Sequence, residues 1–155
     1  MTDTTQYPYS LNFSLGTILL MLVLMWMLFS NAGGANTTLS WAVYGVCALV
    51  FLLLLALLII KRLIPALKGD VALELDADGI SDYIRDIGVN WVDIENISLM
   101  PGRSASMLRI ELKFESDYGN QVNIPLRWVK GNDSLIYETV LSYFNGHISG
   151  TRTDN

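Results

Sequence analysis

The sequence predicts a membrane protein: a hairpin of two transmembrane helices, then an α+β domain in which a bent antiparallel sheet or partial barrel meets a C-terminal helix. Three observations predict it. Residues 1–60 carry one charged side chain, Asp3, while the other twenty-four lie in 61–155. Two long uncharged apolar runs fill that first part. Beyond residue 70 apolar side chains recur at every second position, and near the end they recur at helical spacing. The charge asymmetry excludes an ordinary soluble globule and a disordered chain. A single cysteine, Cys47, excludes a disulfide-stapled module.

Residues 1–10 read as an N-terminal tail. The first span is Leu11–Phe29; Asn12 and Ser14 dilute its start, and Gly16–Phe29 is its strong part. A cleaved signal peptide competes with this reading, because Ala32-Gly33-Gly34-Ala35 resembles a small-residue cleavage site. A signal peptide needs a basic n-region, and Lys61 is the first Lys or Arg. The uncleaved helix is therefore the expectation. Ser30–Ser40 is an uncharged connector. The second span, Trp41–Ile60, has twenty residues without charge, amide or proline. At about 1.5 Å per residue it matches a hydrocarbon layer roughly 30 Å thick. Thirteen of the twenty are Leu, Ile, Val or Phe. No face of it is polar, as a helix on a soluble core requires. Trp26, Trp41 and Tyr44 are expected as interfacial anchors.

Lys61, Arg62 and Lys68 follow the second span directly and determine the expected topology. By the positive-inside rule they place the C-terminal part in the cytoplasm and the connector outside, and two spans return the N-terminus to the cytoplasm. Residues 61–70 form a short linker, where Pro65 should end or kink the emerging helix. The domain occupies 71–146. Val71, Leu73 and Leu75 alternate with polar neighbours, and Asp78-Gly79 turns the chain into Ile80–Ile84. Ile87, Val89 and Trp91 alternate again. Leu108, Ile110, Leu112 and Phe114 share one face, with Arg109, Glu111 and Lys113 on the other. Val122, Ile124, Leu126 and Trp128 form the returning face, with Pro125 marking an edge or bulge. Asn132 or Asp133 caps a helix over 134–145, with Gly146 as its stop. Leu135, Ile136, Val140, Tyr143 and Phe144 make its apolar stripe, and 147–155 reads as a flexible tail.

No catalytic, metal or cofactor-binding residue is predicted. His147 is the one histidine, and Gly102 and Gly119 are lone turn glycines rather than a phosphate loop. Asp76, Asp78, Asp82 and Asp86 lack the spacing of a calcium loop and read as a solvated acidic hairpin. No ionisable residue lies inside either span, which disfavours an ion pathway. Residues 61–155 carry ten basic and fourteen acidic side chains, against nucleic-acid binding.

Leu73–Tyr83 (LELDADGISDY) and Trp91–Ile97 (WVDIENI) resemble the corresponding segments of bacterial pleckstrin-homology-like membrane proteins. That resemblance implies a transmembrane hairpin, an opening strand hairpin, a W-x-(D/E)-I-x-x-I turn and a terminal amphipathic helix. It implies structural core roles for Trp91, Ile94 and Ile97, which Trp128 joins as the end of its strand face. In lipid-binding members basic residues of the first hairpin hold phosphates. Here Asp76-Ala77-Asp78-Gly79 is acidic and repels an anionic headgroup. The expected function is a non-enzymatic bacterial inner-membrane protein presenting a cytoplasmic domain for protein–protein contacts. Two alternatives are an immunity protein that neutralises a membrane-targeting toxin by binding it in the inner membrane, and a membrane lipid sensor. The expected partners are the lipid bilayer and a protein, either a toxin or a second copy of this chain.

Overall fold

In the computed structural model, which describes residues 4–34, 37–103, 105–116 and 119–151, the chain divides into two units. One is Leu11–Gly69. The other combines the residues up to Ser10 with those from Asp70 onward.

The first unit is helical. Helix α1 spans Leu11–Ala32 and α2 spans Thr38–Leu58. Thr37 caps α2, its Oγ1 accepting the Ser40 N–H at 3.2 Å. Ile59–Leu63 then forms a π turn, and α3 follows over Ile64–Lys68. The helical run therefore does not end at Pro65. The proline lies in the first turn of α3, where a missing N–H is best tolerated, and the wider turn before it absorbs the altered bond ladder. Gly69 closes the helix at φ +73° and donates its N–H to the Pro65 carbonyl. Residues 30–32 and 38–40 of the expected connector and 61–68 of the expected linker are thus helical, and Gly69-Asp70 alone separates α3 from the next strand. In α1 only Ser14 and Ala32 are buried among the described residues, and in α2 none is. Both helical runs, of 22 and 31 residues, are long and apolar enough to cross a membrane.

The second unit is sheet-rich. Strand β1 is Thr5–Pro8, a segment expected to be a tail. It pairs antiparallel with β2 (Val71–Leu75), placing Thr5 opposite Leu75, Gln6 opposite Glu74 and Tyr7 opposite Leu73. Tyr9 continues the contact, donating its N–H to Asp70 O at 3.2 Å and bridging to Val129. Strands β3 (Gly79–Asp82) and β4 (Ile87–Asn90) complete a four-stranded sheet in the order β1-β2-β3-β4. A 3-10 turn at Trp91–Asp93 leads to β5 (Ile94–Met100). With β6 (Met107–Ser116) and β7 (Gly119–Pro125) it forms a three-stranded sheet in the order β5-β6-β7. Pro125 ends β7, which is an edge strand, so its missing N–H breaks no ladder.

A 3-10 turn at Leu126–Trp128 precedes α4, Asp133–Thr151. Asn132 starts that helix, its Oδ1 accepting the Ser134 N–H at 2.9 Å. The expected stop at Gly146 is overrun, and the helix takes in the first residues of the expected tail. Ile136, Val140 and Phe144 bury the α4 stripe, while Leu135 stays exposed. The core unites this stripe with Leu73, Leu75, Ile80, Ile94, Leu108, Ile110 and Ile124. Gly79 is required where β3 meets β4, because a Cβ there would lie 2.2 Å from the Val89 carbonyl oxygen.

Candidate interaction surface

Trp91 anchors the sheet-rich unit and is 1% exposed. Its ring stacks on Tyr143 at 6.2 Å and meets Phe144 at 6.5 Å, and its Nε1–H donates to Asp76 O at 2.9 Å. Ile94 and Ile97 are buried beside it in sequence, as expected of core residues. Trp128 is a correction: it is only half-buried. The strand ends at Pro125, so the 3-10 turn takes Trp128 out of the alternation and leaves Leu126 and Val129 as the buried residues. Phe114 shares the strand face of Leu108, Ile110 and Leu112, but those three are buried and Phe114 stands 76% exposed. Strand β6 outruns its neighbour there, since Ile94, the first residue of β5, pairs with Leu112 and nothing in β5 faces the residues beyond.

The aspartates near the first hairpin have structural roles. Asp76 Oδ1 accepts the N–H groups of Asp78 and Gly79 at 2.9 and 2.8 Å and so builds the turn. Asp82, expected on a solvated face, is instead 2% exposed, and its Oδ1 accepts the Ile84 N–H at 2.9 Å. Arg109, also expected to be solvated, is half-buried opposite Asn123. Lys61 and Lys68 are exposed and Arg62 is half-buried, all within the π turn and α3. His147 lies within α4 and Cys47 within α2. Among the described residues no group of three or more His, Cys, Asp or Glu side chains is placed to hold a metal.

On the sheet surface Glu74, in β2, links β1 to the turn that follows β3. It accepts from Gln6 Nε2 at 3.0 Å and from the Tyr83 hydroxyl at 2.6 Å. That bond and the charge of Glu74 raise the Tyr83 pKa above its ordinary 10.0. Thr5 Oγ1 and the Tyr143 hydroxyl, 2.8 Å apart, tie β1 to α4.

A cleft of about 270 Å³ with an apolar floor lies between β4 and the far end of β6. Gly88, Val89 and Asn90 form one wall; Leu112, Phe114 and Glu115 form the other, with Asp93 beside them. Val89 and Leu112 are both buried to 8% exposure and give an apolar floor, and Phe114 stands at the rim. Among the described residues the four-stranded sheet ends at β4. The Trp91 N–H donates to Asp78 O at 3.0 Å, and Ile80 lies opposite Val89. In an antiparallel ladder that phase turns the backbone groups of Ile87 and Val89 toward β3 and those of Gly88 and Asn90 outward. Nearby, Lys113 Nζ donates to Val92 O at 2.7 Å, fixing β6 against the 3-10 turn. Sequence alternation sets Phe114 on one face with Leu108, Ile110 and Leu112 and so conceals the cleft; its place after Lys113, near the end of the longest strand, is the one signal. Searches of family models, curated proteins and solved structures give no match for this chain.

Proposed function

We propose that this chain is a non-enzymatic protein of the bacterial inner membrane, which uses a helical hairpin to present a cytoplasmic pleckstrin-like domain for contact with another protein. One observation carries the reading: β1, which precedes the hairpin, and β2, which follows it, are neighbours in one sheet. Strands in one sheet lie on one side of a membrane, so the chain between them crosses it an even number of times. Two apolar helices of 22 and 31 residues supply those crossings. Their exposed apolar surface calls for a lipid covering. The same pairing argues against cleavage near Ala32–Ala35, which would remove β1 from its sheet.

Lys61, Arg62 and Lys68, directly after the second apolar helix, support a cytoplasmic side for the sheet-rich unit by the positive-inside rule. A sheet in two halves followed by a C-terminal helix supports the pleckstrin-like layout. The carboxylates of Asp76 and Asp82 hold turns, which favours a structural over a catalytic role for them. The protein contact is assigned to the cleft beside β4, where the apolar floor, the exposed Phe114 and an open strand edge meet.

Topology reporters test the membrane part. A reporter fused after Asn155 should be active only if it is of the cytoplasmic type, and one inserted between Gly33 and Gly34 only if periplasmic. The reverse pattern overturns the orientation. Cross-linking and co-purification from native membranes test the protein contact: a partner recovered with the wild-type chain and lost with Phe114→Glu supports it.

A further inference from the structure

We propose that the cleft between β4 and the end of β6 takes an extended segment of a partner protein, both basic and apolar, as a strand added to β4. This inference deepens the preceding reading and rests on it. Three observations define the occupant. The outward-facing backbone groups of Gly88 and Asn90 offer a strand edge that can be extended by main-chain hydrogen bonds. The floor of Val89 and Leu112, with Phe114 at its rim, receives apolar side chains at alternate positions. The charged residues lining the cleft, Asp93 and Glu115, are both acids.

Backbone chemistry and charge disfavour the competing occupants. A helix bonds its own backbone groups internally and would leave the outward groups of Gly88 and Asn90 without a strand partner. A second copy joined through β4 in a two-fold interface brings the same patch against itself, Asp93 and Glu115 facing their own kind, which is destabilising. Anionic lipid is repelled for the same reason. A basic, alternating peptide satisfies edge, floor and charge together.

The test uses the full chain in nanodiscs of neutral phosphatidylcholine and a fluorescent eight-residue peptide of alternating lysine and valine. Two controls accompany it: the same peptide N-methylated at every second amide, and one with glutamate in place of lysine. N-methylation keeps charge and apolarity but removes the donors that a strand edge needs. The parent peptide should bind, with each control weaker by about tenfold or more. In the protein, Gly88→Pro should weaken binding by a similar factor of about ten, because it removes an outward donor on an edge strand. Asp93→Asn with Glu115→Gln should weaken binding and flatten its salt dependence. Equal binding of the N-methylated peptide, or no binding of the parent peptide by the wild-type chain, overturns the proposal, and needs no variant to fold. Either result leaves the membrane reading standing, because that reading fails only on the topology reporters.

Discussion

Trp91 shows how one side chain serves two purposes. Its ring fills the space under α4, and its indole N–H satisfies the Asp76 carbonyl. Trp91→Ala should therefore cost about 3–5 kcal/mol, the usual result of removing a buried aromatic ring. Trp91→Phe keeps most of the ring and loses one hydrogen bond, at about 1 kcal/mol. Urea unfolding of the full chain in detergent, followed through the sheet-rich unit, checks both values; equal losses would show that the hydrogen bond, not packing, dominates. Tyr83 supplies a pH test. Its pKa is raised in the folded chain, so its bond to Glu74 stabilises the fold below pH 10 and is lost as pH rises through the higher folded value. The near-ultraviolet titration of wild type minus that of Tyr83→Phe should have its midpoint above 10.0, and Glu74→Gln should lower it. A wild-type midpoint at or below that value contradicts the pairing. Trp91, Ile94 and Ile97 were legible because a recognisable turn fixes them locally. Trp128 and Phe114 were not, since alternation assumes that a strand continues and stays covered, and both lie where that assumption ends.

Among the elements, the two long apolar helices and the start of α4 were the most legible, because long uniform apolarity and an Asn132 cap are local signals. Strand β1 was the least legible. Thr-Gln-Tyr-Pro is four residues long, and its partner Val71–Leu75 lies beyond the whole hairpin, so no local periodicity reveals the pairing. The α4 end was misjudged for a related reason. A helical glycine costs only about 1 kcal/mol, and the helix runs on through Gly146. The importance of β1 is testable. Residues 70–155 alone leave the β2 edge uncovered and lose the contacts of Thr5 and Tyr9. They should aggregate or unfold well below the temperature of a soluble splice that joins residues 4–10 to 70–155 through a glycine-rich loop. Equal thermal stability of the two proteins would show that β1 is dispensable.

At the scale of the molecule, a hairpin of two long apolar helices is inserted between the first two strands of a sheet. Composition located the helices, and alternation located most of the sheet. Neither showed that the sheet begins before the helices. That arrangement is the central claim, since under the proposed membrane reading it fixes an even number of crossings. Strand pairing across the hairpin tests it most directly. Gln6 and Glu74 are opposite each other with bonded side chains, so Gln6→Cys with Glu74→Cys, in a Cys47→Ala background, brings two thiols together. Oxidised in native membranes, this variant should form a disulfide within one chain, which shifts its mobility on a non-reducing gel, whereas a Gln6→Cys, Lys113→Cys control should not. No cross-link, or labelling of the two cysteines by an impermeant maleimide from opposite sides of the membrane, would contradict the account.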